Sequence, residues 1–147
     1  MRAMTKLVTD LLTPKQTDLF TDLGLLIIRL SFGGLMAFAH GWGKFQKMVA
    51  GGEIKFADPI GLGMELSLYL AATTEFVLAL LLAVGFATRL VTIPLAFTMY
   101  VAAFIVHGDD PFRKMEFALL YLVPFVALFF TGPGRISLDF IIFGKKK

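Results

Sequence analysis

Long apolar stretches alternate with short polar ones along this chain. The first, Leu23 to His40, reads LGLLIIRLSFGGLMAFAH and is broken by one charge, Arg29. The second runs from Glu65 to Phe86 and contains Glu75. The third, Leu90 to His107, has no charge before its terminal histidine. The fourth, Glu116 to Thr131, is the shortest. About 20 apolar helical residues, within a range of about 17–25, cross a bilayer. The first three stretches fit directly, and the fourth fits if it starts within Met115 to Phe117 or if the bilayer thins locally. The pattern predicts an all-α fold, an integral membrane four-helix bundle over residues 23–143. A polar or amphipathic tail (1–22) precedes it and a basic tail (144–147) follows. The N-terminal tail lacks an apolar core followed by a small-residue cleavage site, which argues against a cleavable signal peptide.

The connections are uneven. Gly85 to Arg89 predicts a tight hairpin, and His107 to Lys114 a short polar turn. Gly41 to Gly63 is longer and mixes Trp42, Phe45, Phe56 and Pro59 with charges, a composition suited to an interfacial or re-entrant segment. Pro124 predicts a kink in the fourth span. Gly33 and Gly34, with Ala71, Ala72 and Ala79 in the second span, would allow helices to approach closely.

Composition strengthens this picture. Of the 147 residues, 57% are hydrophobic and 17% charged, against about 45–50% and about 25% in a soluble domain. There is no cysteine, so this chain carries no disulfide, thiolate metal site or dithiol relay of its own. The net charge of +3 comes from residues flanking the spans, with no nucleic-acid motif among them. With four spans, the termini and Arg89 share one side. That side holds eight of the Lys and Arg residues, the other side five, and Arg29 lies within a span. The excess favours cytoplasmic termini.

Ionisable groups inside a bilayer are costly and are candidates for function. Counted from His40 and Glu65 at about 1.5 Å per residue, Arg29 and Glu75 reach similar depths, about 16 Å and about 15 Å. They are therefore expected to pair on neighbouring helices, either to fix register or to form a ligand or proton site with Tyr100. At 3.6 residues per turn, Arg29 and His40 also return to nearly one face. A second group, His40, Lys44, Glu65, His107 and Glu116, is expected at the outer face. No HExxH or close His pair is present, so no metal site is assigned. No catalytic residue is assigned either.

The segments LIIRLSFGGLMAFAHGWGKF, EFVLALLLAVGFATR, FIVHGDDPF and TGPGRISLD, in this order, resemble the DoxX family of small bacterial membrane proteins. The matching positions are Arg29, His40, Gly41, Lys44, Glu75, Thr88, Arg89, Gly132, Pro133, Gly134, Arg135 and Asp139. The resemblance implies a four-helix bundle in a bacterial inner membrane. It also implies kinship with the small membrane subunit of thiosulfate:quinone oxidoreductase and with subunits linked to terminal quinol oxidases. Three readings stay open: a non-catalytic or quinone-associated subunit of membrane redox metabolism, a small-solute transporter, and a scaffold for partner proteins. The quinone reading calls for an apolar slot with a few polar groups, for which Arg29, Glu75 and Tyr100 are the candidates. The partners expected are the lipid bilayer and redox-complex subunits, with no nucleic acid. The sequence does not give the oligomeric state.

Overall fold

A computed structural model describes residues 18–144, and among these every regular element is a helix. Four are long and apolar enough to cross a membrane: α1 (Leu19–Ala50), α2 (Met64–Val84), α3 (Thr88–Val106) and α4 (Phe112–Thr131). A short helix, α5 (Leu138–Phe143), follows. The apolar residues of the predicted tail, Leu7 to Leu12, and the closing lysines lie outside the described residues.

Local chemistry sets the ends. The Asp18 carboxylate accepts from the Thr21 amide at 3.0 Å and caps α1, satisfying one of the free donors of a first turn. Helix α1 therefore starts earlier than Leu23. It also runs on past His40 to Ala50, because Trp42 and Phe45 pack against Phe76 of α2, with ring centroids 5.2 and 4.8 Å away. The glycines at 41 and 43 do not break it. The α2–α3 hairpin is built on Gly85 (φ 72°) and Ala87 (φ 49°). Ala87 alone among the described non-glycine residues has a positive φ. Helix α4 begins at Phe112, directly after Pro111, so it has a full membrane length.

The core lies along the bundle axis and includes Met36, Leu82, Leu95, Phe125 and Leu128. Large apolar side chains such as Ile27, Val123 and Phe130 are exposed around the outside, as lipid requires. Helices α1 and α2 meet where side chains are smallest. A Cβ placed on Gly41 would lie 2.4 Å from the Glu75 backbone, and one on Gly33 would lie 2.8 Å from the Ala79 carbonyl oxygen. Gly34 faces open space. Gly33 and Ala79 thus serve the close approach expected of them, while the tightest contact falls at Gly41.

The long helices are not uniformly α. Turns of π-helix occur at Arg29–Gly33 and Met36–Gly41 in α1, Thr73–Leu78 in α2 and Ala102–Val106 in α3. Such turns are rare and concentrate at functional sites.

Candidate functional site

The bundle buries charge at both of its ends. At the end bearing the α2–α3 hairpin, Arg29 is fully buried and donates to the carbonyl oxygens of Ala83, at 3.3 Å, and Ile136, at 2.5 Å. Asp22, also buried, accepts from the Arg135 backbone N–H at 2.7 Å and from its Nε at 2.8 Å. Asp139 accepts from the amides of Ala87, at 2.6 Å, and Thr88, at 2.9 Å. It therefore caps α3 from a distant part of the chain and holds Ala87 in its unusual backbone conformation. Arg89 Nε donates to the Phe129 carbonyl at 3.1 Å. The 132–139 segment is thereby threaded into the bundle by α1 and the hairpin. Among the described residues, Arg29 Nε and Thr88 Oγ1 are the buried side-chain polar atoms left without a partner, and both lie here.

At the opposite end, Lys44 Nζ donates to Glu75 Oε2 in a direct ion pair. The Glu75 side chain is 5% exposed and that of Lys44 29%. Both belong to the wall of a cavity of about 460 Å³ between α2 and α3, covered by residues 56–62 of the connecting loop. Most of the wall is apolar, with Phe56, Pro59 and Ile60 from the loop and Leu70, Phe97 and Val101 from the helices. Thr74, Thr98 and His107 add polar groups. Leu70 and Phe97 are about half exposed on the flank of the bundle, so the cavity opens sideways toward lipid.

The loop is fastened by Asp58. Its carboxylate accepts from the amides of Leu62 and Gly63, both at 2.8 Å, and from Ser67 Oγ at 2.8 Å. The Ser67 hydroxyl and then the Gly63 amide hold this carboxyl below its ordinary range. At the rim, His107 Nδ1 lies 2.8 Å from Asp110 Oδ2, while Lys114 Nζ donates to the other Asp110 oxygen at 2.9 Å. These two partners, His107 first, lower the Asp110 carboxyl from its ordinary value.

The expected Arg29–Glu75 pair is not formed. Its depth argument took His40 as the end of α1, but the helix continues to Ala50, which places Gly41 opposite Glu75. Arg29 lies about 18 Å further along at about 1.5 Å per residue, beside Ala83. Glu75 takes Lys44 instead. Tyr100 is half exposed, its ring tilted against Phe104 with centroids 4.9 Å apart, and lies outside the cavity wall. Of the expected outer-face group, Lys44 and His107 join Glu75 at the cavity, and the others do not. His40 packs edge-on against Phe117 and Tyr121, at 6.0 and 5.4 Å. It points toward α4, away from the direction of Arg29, because two π turns intervene. Glu65 accepts from the Tyr69 hydroxyl at 2.9 Å, and Glu116 is exposed. Asp22 and Asp58 lie outside every candidate group of the sequence pattern, while Asp110 and Asp139 enter it only through the FIVHGDDPF and TGPGRISLD segments of the DoxX resemblance. A TGPGRISLD-type segment after the last span was the available signal for Asp139. No group of three or more metal-ligating side chains converges among the described residues.

Four apolar helices, a charge-bearing cavity open to lipid and a polar lock at the other end define a small multi-pass membrane protein with an internal ligand-sized space. The chain belongs to the DoxX family, whose profile matches residues 24–108. It is 35% identical over 127 residues to the Bacillus subtilis (strain 168) protein named "Putative oxidoreductase CatD", covering 86% of this chain and 92% of that one. No solved structure matches it.

Proposed function

We propose that this chain is a quinone-associated subunit of membrane redox metabolism, and that the Lys44–Glu75 cavity holds the head group. The observation that carries this reading is the cavity itself: about 460 Å³, mostly apolar, open on the flank of the bundle and bordered by one part-buried ion pair. A ligand site of this kind sits in the size range of small-molecule pockets and needs only a few placed polar groups. A lipid-soluble ring would enter from the flank between Leu70 and Phe97. Lys44 would donate to one of its carbonyl oxygens, and the Glu75 carboxylate would orient the ammonium. The relative's name as an oxidoreductase agrees with a redox setting. The protein resides, on this reading, in the bacterial inner membrane with both termini cytoplasmic, the cavity end facing outward, and with redox-complex subunits as its partners.

Trp42 is the only tryptophan, and its ring lies against Phe76, the neighbour of Glu75. A short-tailed quinone titrated into nanodisc-embedded protein should quench Trp42 fluorescence saturably. The double variant Lys44→Met with Glu75→Leu should fold and lose saturation. Saturable quenching of equal affinity in both proteins would remove the cavity from the reading. Quinone-independent solute flux in liposomes would favour a transporter instead.

A further inference from the structure

We infer that His107, positioned by Asp110, forms a second pole of the cavity that accepts a hydrogen bond, so that the site takes a hydroquinone-class ring bearing a hydroxyl. This rests on the quinone reading of the cavity. The tautomer follows from the geometry. An ionised carboxylate can only accept hydrogen bonds. Asp110 takes Lys114 Nζ on one oxygen and faces His107 Nδ1 with the other, at 2.9 and 2.8 Å. Nδ1 therefore carries the hydrogen, and the neutral ring keeps its lone pair on Nε2. His107 lines the cavity, and with Nδ1 committed to Asp110, Nε2 is the ring nitrogen available to a ligand. The π turn Ala102–Val106 ends directly at His107, whose own amide donates to the Ala102 carbonyl at 3.1 Å. The imidazole is thus held by both its backbone and its ring.

The two poles have opposite hydrogen-bonding character. Lys44 donates only, which suits a carbonyl or the oxygen of a hydroxyl. Nε2 of His107 accepts, which suits a hydroxyl hydrogen and not a carbonyl oxygen. The oxidised ring presents two carbonyl oxygens and satisfies only the Lys44 pole. The reduced ring presents hydroxyls and satisfies both. The other charged groups near His107 are Asp109 in the same turn, Arg113 in the first turn of α4, and the Lys44–Glu75 pair in the cavity wall.

Affinities for a short-tailed quinone and for its anaerobically reduced form are compared in nanodiscs. Wild-type protein should prefer the reduced form. His107→Phe should weaken the reduced form by about tenfold, the size of one net hydrogen bond, and leave the oxidised form nearly unchanged. Asp110→Asn should reverse the preference, because the amide can donate to Nδ1 and move the ring hydrogen to Nε2. A variant that merely loosened the turn would weaken both forms together. Nitrogen-15 chemical shifts of the histidine rings in wild-type protein give a readout that needs no variant: a neutral His107 with its hydrogen on Nε2 overturns the inference. Unchanged preference in both variants also overturns it while the quinone reading stands. Failure of wild-type protein to bind either form defeats the quinone reading itself.

Discussion

At the hairpin end of the bundle, Arg29, Asp22 and Asp139 bond mainly to backbone groups, from Ala83, Ile136, Arg135, Ala87 and Thr88. At the other end, Lys44 and Glu75 bond to each other and border a cavity. Both ends bury charge that lipid penalises. Backbone partners cannot move without unfolding, so the first arrangement locks the 132–139 segment and the hairpin in place. A side-chain pair beside a cavity can exchange one partner for a ligand. Arg with Asp therefore builds a fastening at one end, while Lys with Glu borders, on the proposed reading, a receptive site at the other.

The largest effect separating the two ends should come from breaking the ion pair. Lys44→Met strands the Glu75 carboxylate, 5% exposed, and should cost about 3–5 kcal/mol. Glu75→Leu strands Lys44, 29% exposed, whose long stem can carry its ammonium to water; its cost should be smaller, about 2 kcal/mol. The double variant should recover most of the loss. Unfolding in mixed micelles measures all three, and additive losses would mean that the two side chains are not coupled.

Asp139→Ala should cost about 2–3 kcal/mol through the loss of two amide hydrogen bonds to a charged acceptor. It should leave ligand affinity unchanged, since it acts at the locked end. A matching drop in affinity would dissolve the division between the ends.

Glycine positions give a smaller contrast. Gly41→Ala, with its new Cβ 2.4 Å from the Glu75 backbone, should cost about 1–3 kcal/mol. Gly34→Ala meets nothing within 4 Å and should be neutral or stabilising by up to about 1 kcal/mol. Thermal stability in detergent ranks the pair, and a neutral Gly41→Ala would contradict the close α1–α2 contact.

The smallest effect is in the loop over the cavity. The Asp58 carboxyl is held below its ordinary value of 3.8 by Ser67 and Gly63. A depressed carboxyl contributes stability that is present above the ordinary value and is lost as pH falls through the depressed one. The Leu62 and Gly63 amides should therefore keep their protection from pH 7 down to about pH 4 and lose it below that. Asp58→Asn should lower that protection at neutral pH. Hydrogen exchange, corrected for its intrinsic pH dependence, tests both.

Four apolar stretches were legible because lipid imposes a length on every span, and the structure places a helix on each. The buried charges Arg29 and Glu75 were legible as exceptional for the same reason. Their partners were not. Pairing depends on where each helix ends, and the polar run after His40 concealed the continuation of α1 to Ala50. Trp42 and Phe45 carried that information, but they read equally well as interfacial residues. Lys44 and His107 looked like an outer-face cluster because the loop that folds over them has no periodicity to reveal its course. Asp139 caps a helix that starts 51 residues earlier in the chain, a relation that no local pattern encodes.

The π turns give the chain a phase as well as a length. Each closes a hydrogen bond one residue further on than an α turn does, so everything beyond it lags a constant α pitch by about 100° around the helix axis. A wheel drawn at constant pitch puts Arg29 and His40 on one side, yet one reaches Ala83 and the other Tyr121. Deleting Val77 from the turn Thr73–Leu78 would convert it to ordinary α pitch. With Ala79–Val84 packed as before, the helix before the turn would keep its facing too, because the turn absorbs one extra residue, and only side chains within it, Glu75 among them, would shift. A π turn thus lets a helix hold one more residue without turning the faces on either side of it, whereas the same change outside such a turn would rotate everything beyond it by about 100°.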